Sequence, residues 1–193
     1  MAGDAVTVFL CGDVMLGRGV DQILPHPGDP ELREGWVKDA RDYVELAEAA
    51  NGPLPPLPVG FDWPWGDALR VLDAAAPDAR VVNLETSITR SDDFAPGKAV
   101  HYRMTPENIP CLAAARPDVC VLGNNHVLDF GRRGLRETLR TVSYTHLRRD
   151  ALQRRPARVG RNAEPGGGRL RRRARYGRRA RPRRAGTGGE AAG

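Results

Sequence analysis

Three short apolar runs, each breaking off into polar side chains, constrain this chain more than any other feature. Ala5-Val-Thr-Val-Phe-Leu-Cys11 is β-branched and aromatic and runs into Gly12-Asp13. Ala79-Arg-Val-Val-Asn-Leu-Glu85 ends on a carboxylate, and Asp118-Val-Cys-Val-Leu-Gly123 runs into Asn124-Asn125-His126. Runs of this length and composition read as buried strands stopped by turns. Between them apolar residues recur at three-to-four-residue spacing. Ala40, Tyr43, Val44, Ala47 and Ala50 do so over Val37 to Ala50, and Ala68, Leu69, Leu72 and Ala75 over Trp65 to Ala76. The spacing predicts amphipathic helices. A third helix is expected over Pro106 to Ala115, with Thr105 as N-cap, Pro106 at the first helical position and Glu107 in the first turn; Gly131 to Val142 predicts a fourth. Strands alternating with helices predict a layered α/β domain around a largely parallel sheet.

Asn51 to Trp65 holds Pro53, Pro55, Pro56, Pro58 and Pro64, which excludes helix and central strand and predicts a stiff loop. Pro27-Gly28-Asp29-Pro30 marks a second break. The overall charge of +6 misleads unless it is divided. Residues 1 to 141 carry 14 Lys and Arg against 21 Asp and Glu, net −7, whereas residues 142 to 193 carry 16 against 3, net +13. Bulk charge therefore gives residues 1 to 141 no nucleic-acid-binding character. No apolar run approaches the roughly 18 residues of a membrane span, and no secretory signal is visible. Cys11, Cys111 and Cys120 form no CxxC pair and are odd in number, which suits a reducing compartment and predicts a cytoplasmic protein.

In an open α/β sheet, side chains beyond the carboxyl ends of the strands converge on one crevice. Here those ends offer Asp13 from the first run, Asn83 and Glu85 from the second, and Asn124, Asn125, His126 and Asp129 from the third. Carboxylate, amide oxygen and imidazole are ligands for Mn²⁺, Mg²⁺, Fe²⁺ or Zn²⁺. The set suits a two-metal hydrolytic centre, in which paired cations clamp a phosphoryl group and a neighbouring imidazole supplies a proton to the leaving group. Plainer roles exist for each residue taken singly. Asp13 is a turn former, Glu85 a salt-bridge candidate, and Asn124-Asn125-His126 a polar loop with a helix cap. Cys111 and Cys120 read as small core residues, and Trp63 and Trp65 as anchors of the proline-rich loop. His101 and Arg103 suit either an anionic substrate or a solvated strand edge, Arg18 carries the same two readings, and His26 between prolines reads as structural.

The stretches GDVMLGRGVD (12 to 21), PWGDALRVLDAA (64 to 75), RVVNLETSIT (80 to 89), GKAVHYRM (97 to 104) and LGNNHVLDFGRRGLRETL (122 to 139) together resemble the CapA family of poly-γ-glutamate capsule-biosynthesis proteins, whose fold is similar to calcineurin-like metallophosphoesterases. The resemblance implies Asp13 as a first-strand metal ligand, Glu85 as a bridging carboxylate, Asn125 as an amide ligand and His126 beside the leaving group. It leaves Arg18, Asn83, Asn124, Asp129, His101 and Arg103 as substrate or supporting residues. Two positions depart from the phosphoesterase pattern: Met15 stands where a histidine usually follows the aspartate, and Asn-Leu-Glu replaces a Gly-Asp motif. The family also continues with further strands and histidines that complete its metal site, and nothing after Leu139 resembles them. The expectation is thus an incomplete metallophosphoesterase-like layer, inactive by itself and poorly soluble through its exposed sheet surface.

Residues 142 to 193 form the other expected unit. Val142-Ser-Tyr-Thr-His-Leu147 is what GTC TCT TAT ACA CAT CTN encodes, a run that resembles a transposon end used in sequencing-library preparation. The remainder, with arginine and no lysine, reads as a GC-rich frame out of register and as a disordered tail. The competing reading is an arginine-rich arm that binds nucleic acid electrostatically. For residues 1 to 141 two functions stand side by side: a divalent-metal phosphoesterase-like hydrolase with a phosphorylated small substrate, or a non-catalytic accessory protein of envelope biosynthesis. The latter would hold an acidic polymer or a partner, polyglutamate for example, through Lys98, His101 and Arg103.

Overall fold

The computed structural model describes residues 5–146, with side chains to residue 143. In chain order the elements are β1 (Val8–Val14), α1 (Gly19–Ile23), α2 (Arg41–Asn51), α3 (Ala68–Ala75), β2 (Ala79–Leu84), β3 (Ser87–Ile88), β4 (Arg103–Met104), α4 (Ile109–Ala114), β5 (Val119–Val121) and α5 (Gly131–His146). The three apolar runs form one parallel sheet in the order β1-β2-β5. β3 and β4 make a second, two-stranded parallel ladder. The α/β expectation holds.

Alternation along the strands sets the faces. Arg80, Val82 and Leu84 of β2 point to the packed face, beside Phe9, Cys11 and Val14 of β1. The step from Cys11 to Val14 is three residues rather than two because Gly12 forms a bulge: Cys11 lies opposite Val82, and Asp13 opposite Asn83. β1 therefore does not stop at Gly12-Asp13 as its sequence suggests. The extra residue reverses the facing of the last two strand positions, so Val14 enters the core and Asp13 turns to the other face, beside Asn83.

Arg80 is a charged residue at the centre of the packed face, 4% exposed. Its guanidinium donates to the carbonyl of Ala115 at 2.8 Å and to that of Leu72 at 3.3 Å, so one cation satisfies carbonyl oxygens at the ends of α4 and α3. A second buried charge, Asp21 on α1, accepts hydrogen bonds from the Thr105 N–H at 2.9 Å, the Asn108 amide at 2.7 Å and the Gly28 N–H at 3.0 Å. Thr105 does precede a 3₁₀ turn, Pro106–Asn108, but its hydroxyl donates to Asp21 and caps nothing.

The helix expected from Val37 starts at Arg41, and the one expected from Trp65 starts at Ala68, preceded by a 3₁₀ turn at Trp63–Trp65. The Trp65 indole donates to the Cys111 carbonyl at 2.7 Å and fastens the proline-rich segment to α4. α5 packs on β3, where the Thr138 hydroxyl accepts from the Ile88 N–H at 2.9 Å. It continues past residue 141 to His146, with Val142 in the core. The arginine-rich segment beyond it lies outside the described residues, as do both expectations for it. Among the described residues no helix is long and apolar enough to cross a membrane.

Candidate functional site

The carboxyl ends of β1, β2 and β5 do converge, and a chain of hydrogen bonds connects their side chains. Asn83 stands at the centre. Its amide nitrogen donates to Asp13 Oδ1 at 2.8 Å and to Glu85 Oε2 at 2.7 Å. Its amide oxygen accepts from the Asn124 amide at 2.9 Å, which also donates to the Leu84 carbonyl at 2.9 Å. Asn124 Oδ1 in turn accepts from the His126 N–H at 3.0 Å. That backbone donor fixes which end of Asn124 is oxygen, and so orients Asn83 with its nitrogen toward the two carboxylates.

His126 lies at the inner edge of this network, 5% exposed. Its Nδ1–H donates to Asp129 Oδ2 at 2.7 Å, which leaves Nε2 aimed at Glu85 Oε1, 3.8 Å away. Asp129 is fully buried and also accepts from the Tyr102 N–H at 2.7 Å and from Lys98 Nζ. The three donors satisfy a carboxylate that could not otherwise be buried. Asp129 therefore selects the tautomer and orientation of His126, as the carboxylate of a catalytic His-Asp pair does.

On its open side the His126 ring stacks on Tyr102, with centroids 4.0 Å apart and planes 22° from parallel. The Arg18 guanidinium lies 4.7 Å from the Tyr102 ring and 4.8 Å from that of Tyr43, between the two. Glu34 locks this cation: Arg18 Nε is 2.7 Å from Glu34 Oε1, and the Tyr43 hydroxyl donates to Glu34 Oε2 at 2.6 Å. Burial and that hydrogen bond raise the Tyr43 phenol above its ordinary pKa. Arg18 adopts φ 52°, an uncommon backbone conformation for a non-glycine residue, and the stack and ion pair hold it there.

Of the residues singled out from sequence, Asp13, Asn83, Glu85, Asn124, His126 and Asp129 thus form one connected cluster. Asn125 is exposed and joins it through its backbone carbonyl, which accepts from Lys98 Nζ at 2.5 Å. Arg18 acts through Tyr102. His101 and Arg103 lie apart: His101 is buried with Nε2 donating to the Ala95 carbonyl at 2.8 Å, and Arg103 donates to the carbonyls of Ser91 and Asp29 at 3.0 Å each. Sequence reasoning passed over Tyr102 and Lys98 as parts of the histidine's surroundings. Their only signal was their place in GKAVHYRM. A cavity of about 310 Å³ lined by Met15, Val20, Ile23, Val44 and Trp63 lies beside Arg18, and neither Asp13, Glu85 nor His126 borders it.

The donors suit a divalent cation in kind. Asp13 and Glu85 converge on a single nitrogen, so their oxygens already surround one point. In number they fall short, because among the described residues no three of His, Cys, Asp and Glu lie close enough together to hold an ion. Cys111 and Cys120 add nothing reactive: burial raises both thiols to about 11.

A parallel α/β sheet whose strand ends collect two carboxylates, two amides and a His-Asp pair defines an α/β protein with a polar cluster at its strand ends. The model of the bacterial capsule synthesis protein family, PGA_cap, matches residues 7–152, and the chain belongs to that family. Two relatives from Mycobacterium tuberculosis, of strains CDC 1551 and H37Rv, are each called a probable polyglutamine synthesis accessory protein and are each 59% identical over 145 residues. That match takes in 74% of this chain and 38% of each relative, so the chain spans about two fifths of their length. No solved structure matches it.

Proposed function

We propose that within capsule biosynthesis the strand-end cluster performs metal-assisted hydrolysis of the metallophosphoesterase kind, on a phosphorylated or polyanionic substrate. The observation that carries this is His126, held by Asp129 on one nitrogen and facing Glu85 with the other. Asp13 and Glu85 would hold the cation, which when bound polarises a substrate oxygen and lowers the pKa of an attacking water. His126 Nε2 delivers a proton to the departing oxygen. Asp129 keeps Nδ1 protonated and stabilises the positive ring while it carries both protons. Lys98 donates a hydrogen bond to Asp129, and the Tyr102 ring covers one face of the imidazole and limits its contact with water.

Two carboxylates are too few for a closed divalent site, so the 193-residue chain is expected to bind Mn²⁺ weakly and to show no turnover alone. Electron paramagnetic resonance of Mn²⁺ titrated into the chain tests the ligands. Loss of binding by about tenfold or more in Asp13→Ala and in Glu85→Ala is expected, and unchanged binding in both overturns the metal assignment. A second reading, non-catalytic binding of an acidic polymer, draws support from the word accessory in the relatives' names. Lys98 and Arg103 are committed to internal partners and His101 is buried, so that reading needs other cations. Polyglutamate that binds the chain and is released by salt, with Mn²⁺ binding absent, favours it.

A further inference from the structure

Helices α1 and α2 meet at Gly19, where a Cβ would lie 3.2 Å from the Tyr43 Cβ. Beyond that contact the proline-rich segment forms a third wall. It is pinned to α2 where the Leu54 N–H donates to Glu48 Oε1 at 2.9 Å, and to α1 where the Val59 N–H donates to the Ile23 carbonyl at 2.9 Å. Pro55, Pro56 and Pro58 stiffen the span between these anchors. The three walls bound the cavity of about 310 Å³, lined by Met15, Val20, Ile23, Val44, Leu54 and Trp63.

The cavity accounts for the packing of α2, whose apolar residues recur at helical spacing although none is fully buried: Val44 and Ala47 line the cavity. Its size suits a ligand. An apolar cavity of about 150 Å³ takes a benzene ring, and small-molecule sites start at about 300 Å³. Arg18 is the one charged side chain in the lining. Its guanidinium is held between Tyr43 and Tyr102 and meets Glu34 through Nε, so the ion pair does not use the two terminal amino groups. Those two groups form a fork for a pair of oxygens on an oxyanion. Because Glu34 balances the charge of Arg18, the apolar walls supply most of the affinity and the fork sets which end of the ligand faces Tyr102.

We infer that this cavity is a binding site for an amphiphile with a short apolar chain and a single oxyanion head. The chain fills the space between α1, α2 and the proline-rich segment. The head lies on the Arg18 fork, separated from the His126 ring by Tyr102. The site stands on the cavity and on Arg18, and not on the metal-assisted reading above.

Isothermal titration calorimetry of n-octyl phosphate into the full 193-residue chain, without added metal and below the micelle concentration, tests this. One-to-one binding is expected. It should weaken by about tenfold or more in Ala47→Phe, which fills the cavity from an exposed helix position, and in Arg18→Gln. n-Butyl phosphate, with too short a chain, and n-octyl glucoside, with the chain but no charge, should each bind about tenfold or more weakly than n-octyl phosphate. Leu46→Thr, exposed on α2 and outside the cavity, should leave binding unchanged, as should Asp13→Ala, so this inference and the metal assignment can fail separately. If circular dichroism shows Arg18→Gln unfolded, the n-octyl glucoside comparison decides the head group. No saturable binding of n-octyl phosphate, equal binding of n-octyl glucoside, or indifference to Ala47→Phe overturns the inference. So does a homodimer of the chain that Ala47→Phe dissociates, since the cavity would then belong to an interface between two copies.

Discussion

Asp129 shows how much one residue decides. A carboxylate with no solvent contact is held by an imidazole, a backbone N–H and an ammonium group, and each partner would be misplaced or unpaired without it. Asp129→Ala is expected to lower the unfolding free energy by about 3 to 5 kcal/mol, the cost of stranding partners of a buried charge, read as a fall in the denaturation midpoint. Asp129→Asn should recover only part of this, since its NH₂ must face a donor whichever way the amide turns. The position was visible in the sequence as a polar residue one turn after His126, but its role was not. A carboxylate i+3 from a histidine pairs with it only when the loop between them folds back, and here that loop is held by Asn124 and Lys98. Asp21 and Arg80 were less visible still, because only distant partners make a buried charge tolerable.

At the scale of elements, two glycines near β1 have opposite meanings. A side chain at Gly12 would meet nothing within 4 Å, so the bulge does not depend on glycine there. At Gly17 a Cβ would lie 2.6 Å from the Arg103 carbonyl oxygen, where the turn after β1 crosses β4. Gly17→Ala is therefore expected to cost about 1 to 3 kcal/mol and Gly12→Ala less than about 1 kcal/mol, which thermal unfolding of the two variants distinguishes. Helix periods placed α2, α3 and α5 to within a few residues: α3 and α5 bury residues such as Leu72 and Thr138, while α2 only rests Val44, half-buried, against the core. Neither α1, five residues long, nor the two-residue strands β3 and β4 showed a period, because so few residues cannot display one. Tertiary contacts make them: β3 and β4 pair, and α5 covers β3.

For the whole molecule, packing around the sheet decides how stability responds to alkali. Cys111 is fully buried and Cys120 partly so, and desolvation raises both thiols from the ordinary value of 9.0 to about 11. Below pH 9 folded and unfolded chains hold the same thiol protons, so these groups do not affect stability there. Between about pH 9 and 11 the unfolded chain loses them first, and stability must fall as pH rises. Denaturation midpoints measured from pH 8 to 11 should show this decline, and Cys111→Ala/Cys120→Ala should flatten it. Apolar period and the change from apolar to polar are local properties of the chain, and they alone dictate the parallel α/β architecture and which strand ends carry Asp13, Glu85 and His126. Three outcomes were settled only in three dimensions: Gly12 turns Asp13 outward, Asn83 joins the two carboxylates, and Lys98, His101 and Arg103 face inward. They depend on strand register and on partners far apart in the chain, 70 residues for Asn83 and Asp13 and 74 for Arg103 and Asp29.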